Sequence, residues 1–200
     1  MKKWSTLWFC IALLAPGLAQ AQARSAYTEL KPPVQVETEG RIEVLEFFWY
    51  GCIHCYNLEP KLDTWLKTKP ADVAFRRVPA VLSDRWGHDA AVFYTFEALG
   101  VLDKLHRPFF DAIHRDRLRS DNIQALNAWL EKNGVDPKKF DATARSFGVQ
   151  SKVKRAIRLT SDYKIEGTPA MAVHGRYTVG ASDAMLDTVN QLVATVRKKQ

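Results

Sequence analysis

Cysteine is scarce in this chain: 200 residues hold only three. One of them, Cys10, falls in an apolar leader, so the chain beyond it carries Cys52 and Cys55 alone. That excludes a scaffold stapled by several disulfides, which would use more of them. A bridge between Cys52 and Cys55 would close a tiny loop and constrain the unfolded chain little, so a purely structural bridge is a weak reading. Internal repeats and low-complexity tracts are also missing. His88, His106, His114 and His174 show no metal-ligand spacing and read as surface or core residues. Acid is in deficit, with 22 Asp and Glu against 29 Lys and Arg, a formal charge of +7. Leaving out Lys2 and Lys3 gives 27 against 22, or +5. That excess suits solubility and the surface of an acidic membrane. The basic run Lys152, Lys154, Arg155, Arg158 reads as a solvated helix face, so no nucleic-acid partner is expected.

The first residues read as a targeting segment. Lys2 and Lys3 precede an apolar stretch from Leu7 to Leu18, and Ala19-Gln20-Ala21-Gln22-Ala23 offers cleavage after Ala21 or Ala23. Residues 1–23 are therefore expected to be a removed secretory signal peptide. The stretch is short for a spanning helix and is broken by Pro16 and Gly17. An uncleaved anchor is the alternative. Secretion with a single cysteine pair points to an oxidising compartment, the bacterial periplasm.

What remains is about one domain in length. Pro32-Pro33 makes the lead-in extended, and Val34 to Glu37 reads as a short edge strand. Ile42 to Tyr50 reads as a buried central strand. A helix follows to Lys67, with Leu58, Leu62, Trp65 and Leu66 on one face and a kink expected at Pro60. Val73 to Val78 is the next strand. Helical patterns then run from His88 to Leu99, Leu102 to His114, Asp121 to Lys132 and Asp136 to about Phe147. The last of these is expected to be broken by Gly148. Another helix spans Val149 to Tyr163, and a hairpin pairs Gly167–Val173 with Arg176–Val179. A final helix, capped by Ser182, reaches about Arg197. The fold class expected is α/β: a mixed sheet flanked by helices (residues 24–82 and 148–200), interrupted by an all-helical block at 83–147.

The informative motif is Cys52-Ile53-His54-Cys55, at the junction between the central strand and its helix. A helix N-terminus carries unpaired N–H groups and positive partial charge, which stabilise a thiolate. The placement is that of a redox-active dithiol, with Cys52 nearest the helix end as nucleophile and leaving group and Cys55 one turn further in as its partner. His54 either stabilises the thiolate or is an exposed residue without a role. Trp49 and Tyr50 flank the motif; either one lines an apolar peptide groove or both pack in the core.

With Val44-Leu45-Glu46-Phe47-Phe48, the dithiol with Tyr56, the helical block and Gly167-Thr168-Pro169-Ala170 in place, the chain resembles the DsbA family of thioredoxin-fold thiol–disulfide oxidoreductases. The resemblance spans essentially the whole mature chain. It implies an enzyme that donates its Cys52–Cys55 disulfide to newly secreted proteins and is reoxidised by a DsbB-type, quinone-linked membrane partner. No cofactor beyond that disulfide is implied, no metal, and no stable oligomer. Pro169 matches the family's cis-proline facing the dithiol, and Thr168 would pair its backbone with an extended substrate. Glu46 matches a buried acid beneath the site, with Arg76 as its basic partner. The departure is Ile53, where familiar members carry proline; that leaves the oxidising strength open. Two other functions stay in view: a reductase or isomerase on the same fold, and a soft-metal module using Cys52, Cys55 and His54.

Overall fold

The structure is a computed structural model describing residues 26–199. The expected leader and Cys10 lie outside these residues. Twelve elements follow in order: β1 (Thr28–Glu29), β2 (Ile42–Phe48), α1 (Ile53–Thr68), β3 (Val73–Pro79), α2 (Asp84–Ala98), α3 (Leu102–His114), α4 (Ile123–Lys132), α5 (Pro137–Ala144), α6 (Phe147–Asp162), β4 (Ala170–Val173), β5 (Tyr177–Gly180) and α7 (Met185–Arg197). The sheet order is β1-β5-β4-β2-β3. Only β2 and β3 run parallel, joined across α1; the other pairs are antiparallel. No helix among the described residues is long and apolar enough to cross a membrane.

Every residue of β2 is buried, because the strand lies inside the sheet and both its faces are covered. Alternation divides its side chains. Ile42 and Val44 join Met171, Val173, Val179 and the inner face of α7 beneath Leu62 and Trp65 of α1. Leu45 and Phe47 join the other core, built with Phe93, Phe96, Phe109, Leu130 and Leu159 from the helices between β3 and β4. The end of β2 and the start of α1 belong to this second core through Phe48, Tyr50 and Cys55.

Local chemistry explains the departures from the sequence reading. The edge strand is Thr28–Glu29, not Val34–Glu37. Pro32 and Pro33 remove donors that a longer ladder needs, and Val34 instead donates to Gly175 O on the β4–β5 turn at 2.8 Å. There a Cβ on Gly175 would overlap Val34 O, so the close approach requires glycine. Gly148 lies inside α6 and does not break it. The boundary is set by Ser146, whose hydroxyl accepts from Val149 N. Ser182 does not cap α7 with its side chain; Ala184 holds the N-cap position. α1 runs unbroken through Pro60. The proline lacks the N–H that would reach Tyr56 O, and Arg107 Nη1 of α3 donates to that carbonyl at 3.3 Å.

Candidate active site

The chain leaves β2 through a tight turn in which Cys52 N donates to Trp49 O at 3.0 Å. Cys52 is the N-cap residue of α1, in extended conformation, and its carbonyl accepts the first helical bond from Tyr56 N. The two thiols are free, the reduced state of the pair. Cys52 is half-buried, and its Sγ lies 3.2 Å from Thr168 O. The Thr168–Pro169 bond is cis, and Pro169 is buried. Cys55 is wholly buried.

These surroundings separate the thiols. Cys52 is lowered to about 5, foremost by a hydrogen bond with Cys55. The Thr168 side chain and the main-chain N–H groups of Cys55 and His54 add to this, while partial burial opposes it. Cys55 is pushed far up by burial, then by the neighbouring Cys52. His54 thus contributes its main chain to the thiolate. Its exposed side chain lines a surface groove of about 460 Å³ with Pro169, Leu58, Lys61, Asp183 and Met185. Thr168 and Pro169 also line an adjoining groove of about 370 Å³ that runs along β5.

Two sequence assignments need correction. Glu46 is fully buried, but its basic partner is Arg77, not Arg76: Arg77 Nε lies 3.1 Å from Glu46 Oε2. Parallel register sets Glu46 beside Arg77 and Leu45 beside Arg76, so Arg76 points to the opposite face and meets Glu37 and Glu43. Tyr50 lines no groove. It is 1% exposed, because the strand ends at Phe48 and the chain turns Tyr50 inward among Phe48, Phe109 and Phe110. Trp49 is half-exposed and stacks on Trp86 at 4.5 Å.

Several residues beneath the dithiol escaped the sequence reading. Glu59, one turn after Cys55 on the same helix face, reaches Arg77 Nη2 at 3.2 Å and His106 Nε2 at 3.6 Å. Its signal was the Cys55-Glu59-Leu62 spacing, which places an acid on a buried stripe. Burial raises Glu46 to about 8 against the pull of Arg77. Glu59 is held below the ordinary carboxylate range: burial opposes this, but His106 and Arg77 outweigh it. Burial lowers His106, while the hydrogen bond and charge of Glu59 pull the other way. The ring's other nitrogen, Nδ1, meets Tyr50 Oη at 2.9 Å. Among the described residues no group of three or more His, Cys, Asp or Glu is placed to hold a metal ion.

Thiols this unequal suit exchange chemistry: one is ionised and reachable, the other neutral and sheltered. Set at the end of β2, an interior strand between β4 and β3 and not the middle one that the sequence suggested, they define a thioredoxin-like thiol–disulfide oxidoreductase. Comparison with known proteins narrows the class. A family model described as the DSBA-like thioredoxin domain matches residues 72–193. The chain is 41% identical to the thiol:disulfide interchange protein DsbA of Bordetella parapertussis, over 93% of this chain and 91% of that one. It is 36% identical to the DsbA of Azotobacter vinelandii, over 96% and 93%. The crystal structure of Pseudomonas aeruginosa DsbA superposes with a TM-score of 0.81 at 35% identity, covering 87% of this chain and 93% of that one. That of Xylella fastidiosa DsbA gives 0.81 at 31%, covering 86% and 96%. The chain belongs to the DsbA-like thioredoxin family and is a protein disulfide oxidoreductase.

Proposed function

We propose that this protein donates the Cys52–Cys55 disulfide to newly secreted cysteine-containing proteins in the bacterial periplasm, and that a quinone-linked membrane partner of the DsbB type reoxidises it. The supporting observation is the asymmetry of the thiols, with Cys52 near 5 and Cys55 pushed far above its ordinary range. A substrate thiolate attacks Cys52 Sγ of the oxidised protein. The S–S bond breaks, a mixed disulfide forms, and Cys55 leaves and takes up a proton. A second substrate thiolate then attacks the substrate sulfur and expels Cys52 as a thiolate. Two electrons pass to the protein, and the substrate keeps the disulfide. A stabilised Cys52 thiolate is a good leaving group and favours the reduced protein, which makes the pair oxidising. Reoxidation passes the two electrons on to the membrane partner.

In this reading the disulfide is the only redox group, and the protein works as a monomer. Residues 24–82 and 148–200 form the exchange domain around an inserted helical block at 83–147, and residues 1–23 direct export. The groove at His54 and Pro169 takes the substrate chain, with the Thr168 main chain pairing to it. Trp49 lies on the other side of the turn, against Trp86 and Asp89 of α2, and lines neither groove. Glu46, with Arg77 replacing Arg76 as its partner, tunes the site from below. The test is the equilibrium of the Cys52/Cys55 pair against glutathione buffers, read by tryptophan fluorescence. A potential well above thioredoxin's, about −270 mV, is the expected result. A thioredoxin-like value would make the protein a reductant and end the donor reading.

A further inference from the structure

Asp89 is a buried carboxylate on α2, far from the dithiol in sequence and absent from the exchange steps above. It is 2% exposed, yet both of its oxygens are engaged. Trp49 Nε1 donates to Oδ2 at 2.6 Å, and Ser120 Oγ, from the loop between α3 and α4, donates to Oδ1 at 2.6 Å. Ser120 is in turn held through its carbonyl, 2.8 Å from His88 Nε2. The far face of the Trp49 indole stacks on Trp86 of the same helix with 9° between planes. One acid thus fixes the in-plane position of the ring, and one indole fixes its tilt.

The ring so held belongs to the residue that starts the active-site turn. Trp49 O accepts the Cys52 N–H, and the indole lies so close over Gly51 that a Cβ there would stand 2.3 Å from it. Movement of Trp49 therefore moves the turn, and with it the N-cap residue. The Cys52 sulfur depends on that placement for its contact with Thr168 and for the N–H groups of His54 and Cys55.

We infer that Asp89 is a positioning residue: by clamping Trp49 from the helical block, it sets the Trp49–Cys52 turn and so the reactivity of the Cys52 thiol. This rests on Cys52 being the attacked sulfur. A carboxamide at position 89 can still accept from Trp49 Nε1 and can donate to Ser120 Oγ, so the clamp needs the geometry of the group and not its charge.

The experiment compares the full-length protein with Asp89→Ala, Asp89→Asn, Trp49→Phe, the double variant Asp89→Ala/Trp49→Phe and Cys52→Ser. The readouts are oxidation of a model dithiol peptide and titration of the Cys52 thiolate by absorbance near 240 nm. Asp89→Ala and Trp49→Phe are expected to slow peptide oxidation about tenfold or more, since small misplacements of a reacting group cost that much. Both should raise the Cys52 pKa, the double variant should be no worse than either alone, and Asp89→Asn should restore both readouts. Trp49→Phe keeps an aromatic stack, so it reports on the clamp even if Asp89→Ala folds poorly. Should Asp89→Ala lower only the melting temperature, or Asp89→Asn behave like Asp89→Ala, the inference is overturned. An inactive wild type, or an active Cys52→Ser, would instead overturn the exchange reading.

Discussion

Arg77 holds together the charges beneath the dithiol. Its guanidinium is shared between Glu46 on β2 and Glu59 on α1, both inaccessible to water. The Nε lies close to Glu46 but out of hydrogen-bond alignment, and burial raises Glu46 to about 8, so at pH 7 the negative charge that Arg77 balances is chiefly that of Glu59. Arg77→Met removes the guanidinium that contacts both of these acids. Breaking a buried pair from one side costs about 3–5 kcal/mol. Urea unfolding should show a loss in that range, and a loss under about 1 kcal/mol would mean that water already solvates the cluster. His54→Ala is a milder change, because the main-chain donor stays. Removing the imidazole beside Cys52 is expected to raise the thiolate pKa and make the pair less oxidising; an unchanged thiolate titration would refute this. The sequence pointed to His54 by its place between the cysteines and to Glu46 through the family resemblance. It could not point to Arg77 over Arg76, because adjacent strand residues face opposite ways and the pairing register is set by the packed sheet.

The turn from β2 into α1 depends on glycine for space, as Gly51 sits under the Trp49 ring. That ring is held by Asp89 and Trp86 and has little freedom to yield. Gly51→Ala is therefore expected to cost about 1–3 kcal/mol by overpacking and to raise the Cys52 pKa, while an unaltered melting curve would show that the ring moves freely. At α6, Ser146→Ala should cost about 1 kcal/mol in urea unfolding by removing the N-cap acceptor for Val149. The extent of α3 and the start of α5 are legible in the sequence because their signals are local, Asp136-Pro137 in the case of α5; the end of α5 at Ala144, short of Phe147, is not. Elements governed by distant partners were harder to read. β1 is two residues long and is defined by pairing with β5, some 150 residues away along the chain. The start of β2 at Ile42 agrees with the sequence, but its C-terminal end differs for a related reason. Trp49 and Tyr50 continue its apolar run, yet one is drawn to α2 and the other into the core.

At the scale of the whole molecule, the dithiol should couple redox state to stability through pH. In the reduced protein Cys52 titrates near 5 when folded, against about 8.5 in an unfolded chain. Between those values the unfolded state binds the extra proton, so stability of the reduced protein rises with pH. The contribution is complete above about 8.5 and is lost as pH falls toward 5. Its slope is at most about 1.4 kcal/mol per pH unit, and solvent screening of the half-buried thiol reduces the total. Cys55 acts with the opposite sign. Burial holds its proton in the folded state, so above about 8.5 the unfolded chain releases it first and the reduced protein loses stability. The oxidised protein has neither thiol to titrate. The stability difference, reduced minus oxidised, should therefore climb from pH 5 to a maximum at about 8.5 and fall beyond it. Paired urea unfolding of the two redox forms across pH 4–9 measures that difference directly. Since a thermodynamic cycle links it to the redox equilibrium, the same maximum should mark the pH at which the folded site most favours the dithiol over an unfolded Cys-x-x-Cys peptide. A difference flat across this range would mean that Cys52 titrates like an ordinary thiol, and the electrostatic account of its oxidising power would fall with it.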